Sequence, residues 1–298
     1  SKYDIFVLGV LKMPKDLLNK IEDNYKKFSK GQKLIGDFII KQYDKAAFMT
    51  ASKLGKAVGV SESTVVRFAT ELGYDGYPSL QKALQELIKT KLTSVQRIEV
   101  ANEKITKNGV LRGVMLSDID KIRITMEKNN EDSFEKAVET LINAKKIYIL
   151  GVRSSSALAS FMGFYFNLIF DNVRLVHTTS VSEMFEQILR VEKGDVVVGI
   201  SFPRYSKRTV KAMEYSLDSG ADVIAITDSE ESPLVQCSNN HLIASSDMVS
   251  FVDSLVGPLS LINALIAAVG IRKQNEISAT FDKLERMWEE YDVYEKND

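Results

Sequence analysis

Apolar positions along this chain change their spacing near residue 133. Up to there they recur every three or four residues, the period of amphipathic helices. Leu17, Leu18, Ile21, Tyr25 and Phe28 form one stripe, and Leu34, Ile35, Phe38 and Ile39 a second. Val65, Phe68, Ala69 and Leu72 form a third, and Leu80, Leu84, Leu87 and Ile88 a fourth. A connection is expected over 43–48, and a further amphipathic helix runs through Leu111, Val114, Met115, Ile119, Ile122 and Met126. Beyond residue 133, short continuous apolar runs at 146–150, 173–176, 196–201, 223–227 and 241–244 alternate with helical stretches. Those stretches cover 134–144, 157–170, 181–191, 207–219, 251–269 and 275–291. Strands apolar on both sides, each followed by a helix, predict a doubly wound, five-stranded parallel sheet. The expected fold is an all-α N-terminal part followed by an α/β part. Phe161, Phe164, Tyr165 and Phe170 are expected in the core, and Trp288 as packing.

The stretch 51–74 is the most informative. Two short helices are joined by a tight turn, with Thr50 and Ser61 as N-caps and Gly59 able to take the positive φ that ends the first helix. Gly73 is placed to end the second. With Val65, Phe68, Ala69 and Leu72 turned to a core, Ser63, Arg67 and Thr70 lie on the opposite face, flanked by Glu62 and Thr64. Short hydroxyl donors near a helix N-terminus and one arginine suit the major groove. This is a helix-turn-helix pattern, with an ordinary solvated helical hairpin as the plain alternative.

Charge adds to that picture. Residues 1–92 hold 16 Lys and Arg against 10 Asp and Glu, whereas the remainder holds 23 against 30. A basic module on an acidic body fits a nucleic-acid reader joined to a part with another partner. With 45% apolar and 27% charged residues, the 298-residue chain has the composition of a globular protein of about two domains. The single cysteine, Cys237, excludes an internal disulfide and reads as packing in a reducing compartment. The apolar run 5–11 is too short to span a membrane and lacks a signal-peptide pattern. Met13-Pro14 resembles a start, so residues 1–12 are expected to be an extension without function.

Ligands of such sheets bind beyond the carboxyl ends of the strands. After the first strand comes Gly151-Val-Arg153-Ser154-Ser155-Ser156, and after the third Ser201-Phe-Pro-Arg204-Tyr-Ser206-Lys-Arg-Thr209, each feeding a helix. Hydroxyls and amides at helix N-termini make an anion cradle. Ser155 and Ser206 could instead simply cap their helices. The guanidinium groups of Arg153 and Arg204 suit a second negative charge on the ligand, unless they pair with Glu183 or Glu186. His177 and His241 have no metal-ligand spacing, and neither a dinucleotide fingerprint nor a P-loop lysine is present. No metal, cofactor or catalytic residue is expected. Glu183, the one acid that could serve as a base near a strand end, reads as a solvated helix-start residue.

Together the two halves resemble RpiR-type bacterial transcriptional regulators, a helix-turn-helix domain joined to a sugar isomerase (SIS) domain. The resemblance covers about residues 13–290. It rests on 47–54, Gly59-Val-Ser-Glu-Ser-Thr-Val-Val-Arg-Phe68 and Leu72-Gly-Tyr-Asp-Gly-Tyr-Pro78, then on 151–156, 200–209 and Phe251-Val-Asp-Ser-Leu255. It implies a helix-turn-helix domain over 1–92, a helical connector over 93–130 and a ligand-binding SIS domain over 131–298. It implies DNA contacts from Ser61, Ser63, Thr64 and Arg67, and phosphate contacts from Ser155, Ser201 and Ser206. With their loop neighbours Arg153, Ser154, Ser156, Arg204 and Thr209, these are the expected ligand residues. Many SIS loops have glycine where this chain has Arg153, and Ser-Gly where it has Pro203-Arg204. The expected protein is a cytoplasmic, DNA-binding homodimer or dimer of dimers whose operator binding responds to a phosphosugar or other anionic metabolite. The alternatives are an SIS phosphosugar isomerase or lyase with a helical appendage, and a dimerisation scaffold without ligand.

Overall fold

The computed structural model describes residues 17–91, 109–176, 180–247 and 252–293. The expectations for residues 1–12, for 93–108 of the connector, and for His177 and Phe251 lie outside them. The chain divides into two compact units, Ser1–Arg97 and Ile98–Asp298.

In the first unit α1 (Leu17–Asn24), α2 (Lys30–Ala46), α3 (Ala51–Val58), α4 (Glu62–Glu71) and α5 (Tyr77–Lys91) enclose one core. Each start has a local cause. Ser29 and Gln32 make a reciprocal capping box at the head of α2, and Thr50 and Ser61 cap α3 and α4 through their side-chain oxygens. Gly59 ends α3 in the left-handed region at φ 77°. The expected stripe of α4 is the buried one: Val65, Phe68 and Ala69 are inaccessible, and Phe68 meets Phe28 at 5.1 Å between ring centroids. The connection expected at 43–48 is shorter than the sequence suggests. Helix α2 bends at Gln42 but continues to Ala46. Side chains of α5 hold the connection: the Tyr77 hydroxyl and the Gln81 amide donate to Met49 O at 2.7 and 2.9 Å, and Gln85 donates to Ala47 O.

Among the described residues the second unit begins with α6 (Val110–Lys128) and α7 (Glu131–Ile142). Then follow β1 (Ile147–Gly151), α8 (Ser155–Ile169), β2 (Val173–Val176), α9 (Val181–Ile188), β3 (Val196–Ile200), α10 (Lys207–Asp218), β4 (Asp222–Thr227), β5 (Asn240–Ile243), α11 (Val256–Arg272) and α12 (Gln274–Glu290). The five strands are all parallel, in the order β2-β1-β3-β4-β5. Ile147, Ile149, Val196, Val198, Ile224 and Ile226 point to one core, shared with α7, α8 and α11. Tyr148, Leu150, Val197, Val223 and Ala225 point to the other, with α9 and α10. Alternation of side chains across each strand explains why the strand runs are apolar at every position. Full burial of each aliphatic side chain stabilises by roughly 1.5–3 kcal/mol.

The aromatic set on α8 divides. Phe161 and Phe170 pack against the core, but Phe164 is 63% exposed and Tyr165 is exposed too. Leu158, Ala159, Met162 and Phe166 take the inward face at helical spacing, which turns 164 and 165 outward. Helix α6 packs on α11. It is tied to the chain after β5: Ser245 N donates to Thr125 Oγ1 at 2.9 Å, the Ser254 hydroxyl to Asp118 at 2.6 Å, and Asn129 exchanges hydrogen bonds with the Ile243 backbone. Cys237 is buried, and burial pushes its thiol up to about 12.

Candidate DNA-reading face and anion-binding loops

Helix α4 presents Ser63 and Arg67 to solvent, opposite its buried stripe, with its cap Ser61 exposed as well. Thr64 is half-buried on the flank. The hydroxyls at the helix start form one cluster, with Ser61 Oγ 2.9 Å from both Ser63 Oγ and Thr64 Oγ1. Ser61 Oγ also accepts Thr64 N–H at 3.3 Å, while Arg67 Nε donates to Ser63 O one turn back. Of the four residues expected to meet DNA, Ser61, Ser63 and Arg67 therefore stand exposed on one shoulder, with Thr64 half-buried beside them and hydrogen bonds joining them in a chain. Sequence reasoning missed its neighbour. An open groove of about 810 Å³ runs from this shoulder to Ser29, Gly31 and Gln32 at the head of α2. The Gln32 amide closes its wall with a 2.6 Å hydrogen bond to Glu71. The Ser29–Gln32 capping box explains a helix start without indicating what lies beside it.

In the second unit, strand order locates the site. From β1 the chain passes to β2 on one side, and from β3 to β4 on the other, so the connections diverge between β1 and β3. A crevice at such a switch point is where open parallel sheets bind ligands. The two serine loops are the loops that flank it, since Gly151 pairs with Ile200 at the strand ends.

The first loop turns tightly into α8. A Cβ on Gly151 would lie 2.5 Å from Ser155 O, so only glycine lets the strand end meet the helix start this closely. Ser154 is the N-cap residue but makes no side-chain cap bond, and Ser156 Oγ donates to Arg153 O at 2.6 Å. Ser155 is buried and stands inside the first turn of the helix, one residue past the cap position. The capping alternative thus does not describe Ser155. It does describe Ser206, which caps α10 by accepting Thr209 N–H at 3.3 Å. In the same loop the buried Ser201 Oγ accepts Ser206 N–H at 3.1 Å. Thr209 is fully buried one turn into α10, and its Oγ1 has no partner among the described residues.

Arg153 and Arg204 share one property. Both are exposed, and both sit in the left-handed backbone region, at φ 57° and 66°. A side chain there costs roughly 1–2 kcal/mol that glycine would not incur. Among the described residues neither arginine makes a salt bridge, so pairing with Glu183 or Glu186 does not account for them. Glu183 lies exposed in the first turn of α9.

The carboxyl edge continues into residues that carry no recognisable motif. Tyr205 donates its hydroxyl to the buried Asp228 at 2.8 Å. Burial, then the carboxylate, raises the phenol's pKa well above its ordinary value. Thr227 and Ser232 bond to each other beneath it at 2.7 Å. Asp228 also accepts, through its backbone carbonyl, the Lys128 ammonium at 3.1 Å. Beyond β5, buried Ser246 carries another hydroxyl without a partner among the described residues. Position one strand further along the edge was the only available cue for these residues. Among the described residues, no group of three or more His, Cys, Asp and Glu stands together as a metal site.

Comparison with known proteins assigns both units. Residues 15–91 match the helix-turn-helix domain of the rpiR family, and residues 140–268 match the SIS domain. An uncharacterized HTH-type transcriptional regulator of Clostridium perfringens is 24% identical over 85% of this chain and 91% of its own length. One from Caldanaerobacter subterraneus is 25% identical over 88% and 93%. Among solved structures, the Vibrio vulnificus NanR protein complexed with ManNAc-6P shares the fold at 21% identity, with a TM-score of 0.57 over 90% of this chain and 97% of that one. The sugar isomerase domain of an RpiR transcription factor from Sphaerobacter thermophilus shares it at 24% identity and a TM-score of 0.55, over 58% and 96%. The chain is a transcriptional regulator that joins a helix-turn-helix domain of the rpiR family to an SIS domain.

Proposed function

We propose that this regulator binds operator DNA through Ser61, Ser63, Thr64 and Arg67, and that an acidic sugar phosphate held by its SIS loops changes that binding. The arginines carry the second half of this reading. Backbone held in a costly conformation at a crevice points to function, and here two arginines are so held, one on each loop flanking the switch point. Ser154, Ser155, Ser156, Ser201, Ser206 and Thr209 would serve the phosphate, and Arg153 and Arg204 a further carboxylate or phosphate. That the solved relative NanR is complexed with the phosphosugar ManNAc-6P supports the ligand class. We read residues 93–130 as the connector between the two functions, and the protein as a cytoplasmic homodimer or dimer of dimers. No single helix among the described residues is long and apolar enough to cross a membrane.

The SIS unit is read as a binder, not an enzyme. Sugar isomerisation needs a base over the substrate carbon. The buried acid at the carboxyl edge, Asp228, is already engaged by the Tyr205 hydroxyl. A panel of neutral, singly and doubly anionic sugars should therefore give calorimetric binding, tightest for the doubly anionic ones, with no product on chromatography. Steady conversion of any of them overturns the reading.

Arg153→Gly and Arg204→Gly separate ligand from scaffold. Each should weaken a doubly anionic sugar by about tenfold or more, the worth of a hydrogen bond to a charged group. Glycine relieves the left-handed strain but loses more freedom on folding, so stability should hold or rise by up to about 1 kcal/mol. Unchanged affinity in both variants would make the arginines structural. On the DNA side, Arg67→Ala should cost about 1–3 kcal/mol of specific operator binding, read by gel shift, without changing the melting temperature. A variant that shifts operator as wild type does removes Arg67 from the reading face.

A further inference from the structure

Helix α6 has an exposed face that nothing among the described residues of the second unit covers. Lys121 and Thr125 turn inward against that unit. Leu111, Met115, Ile119, Ile122 and Met126 fall within about 80° of one another at 100° per residue, in a row about 22 Å long. All five are between 43% and 74% exposed. Single exposed apolar residues are ordinary, but five in one row mark an interaction surface.

The row has a near two-fold symmetry of its own. Measured from Ile119, Met115 and Ile122 lie four residues before and three after, and Leu111 and Met126 eight before and seven after. A second copy of the helix, running antiparallel and crossing beside Ile119, sets Leu111 on the partner's Met126 and Met115 on the partner's Ile122. Ile119 then meets the partner's Ile119. A surface that complements itself under a two-fold rotation is what a symmetric dimer needs. Charge fixes the direction. Arg112 and Glu127 stand at the two ends of the row and on the same side of it, about 20° and 80° beyond its edge, both exposed. Antiparallel pairing puts the arginine of one helix opposite the glutamate of the other, whereas parallel pairing sets like charges together. Between them, Arg123 is satisfied within its own helix by Asp120 at 2.9 Å.

We infer that this protein dimerises through α6, packed antiparallel on the α6 of a second copy and centred on Ile119. The inference rests on the dimeric reading above and adds the surface, direction and register. The pairing gives the connector a direct contact with its counterpart in the other subunit.

Cysteine crosslinking of the full chain tests it on a clean background, since the native Cys237 is buried. Under mild oxidation Ile119→Cys should convert to a disulfide-linked dimer on a non-reducing gel. Leu111→Cys alone should not, because its copies lie at opposite ends of the contact, but mixed Leu111→Cys and Met126→Cys chains should crosslink. Ile119→Glu, an exposed substitution that leaves both cores intact, should shift sedimentation at micromolar concentration from dimer to monomer. Three results overturn the inference: a monomeric wild type, Leu111→Cys linking to itself as readily as Ile119→Cys, or a dimer in which Ile119→Cys does not link. Sugar-phosphate titration of the same variants reads the effector proposal separately.

Discussion

Phe68→Ala is expected to unfold the DNA-reading unit while leaving the SIS unit folded. Phe68 is inaccessible to solvent and meets Phe28 at 5.1 Å, so it joins α4 to the segment entering α2. Truncating a buried phenylalanine costs about 3–5 kcal/mol, from lost burial and the cavity left behind. A unit of fewer than 100 residues has a total stability of the same order. Calorimetry of the full chain should show one transition lowered by at least about 12 °C and the other unmoved. Operator binding should be lost and sugar-phosphate binding kept. A shift of only a few degrees would mean that α4 is held by other contacts.

Gly151→Val should act in the opposite unit. The added Cβ would fall 2.5 Å from Ser155 O and 2.9 Å from Ser155 C, backbone atoms that cannot swing aside as a side-chain tip can. Either β1 or the start of α8 must move, at a cost of about 1–3 kcal/mol or more. That movement displaces Ser154, Ser155 and Ser156 from beside Ser201. Sugar-phosphate affinity should fall more than about 100-fold by calorimetry, with operator binding in the absence of sugar retained. Wild-type affinity in this variant would place the ligand away from the β1 loop.

The sequence carried the local grammar of this fold well. Ser29, Thr50, Ser61 and Gly59 announce helix ends because capping depends on residues within a turn of each other. The strands announce themselves by apolar runs because both faces of the sheet are covered. The order of the strands could not be read the same way, and with it went the reason that the β1 and β3 loops form one site. Positive φ at Arg153 and Arg204 left no mark in the arginines themselves, and only the glycines that stand there in many SIS loops hinted at it. Long-range polar pairs also left no mark. Tyr205 reaches Asp228 across 23 residues, and α5 holds the α2–α3 connection across 28 or more. Lys121 shows the same limit in reverse: a lysine reads as solvated, yet this one is buried, with its ammonium on Ser117 Oγ.

One hydrogen-bonded path has a thermodynamic consequence. Tyr205 leaves the second anion loop for the Asp228 carboxylate, and the carbonyl of the same aspartate holds Lys128 at the end of α6. If closure of that loop on a ligand repositions α6, the work done is shared by both ends of the chain, and linkage makes the sharing symmetric. Whatever factor the sugar phosphate imposes on operator affinity, saturating operator must impose on sugar affinity, about 5- to 150-fold for a coupling of 1–3 kcal/mol. In a cell such a protein is then not a passive gauge of its metabolite. Its copies on DNA and its copies free in solution would respond at different concentrations, and the number of operator sites would itself help set the threshold.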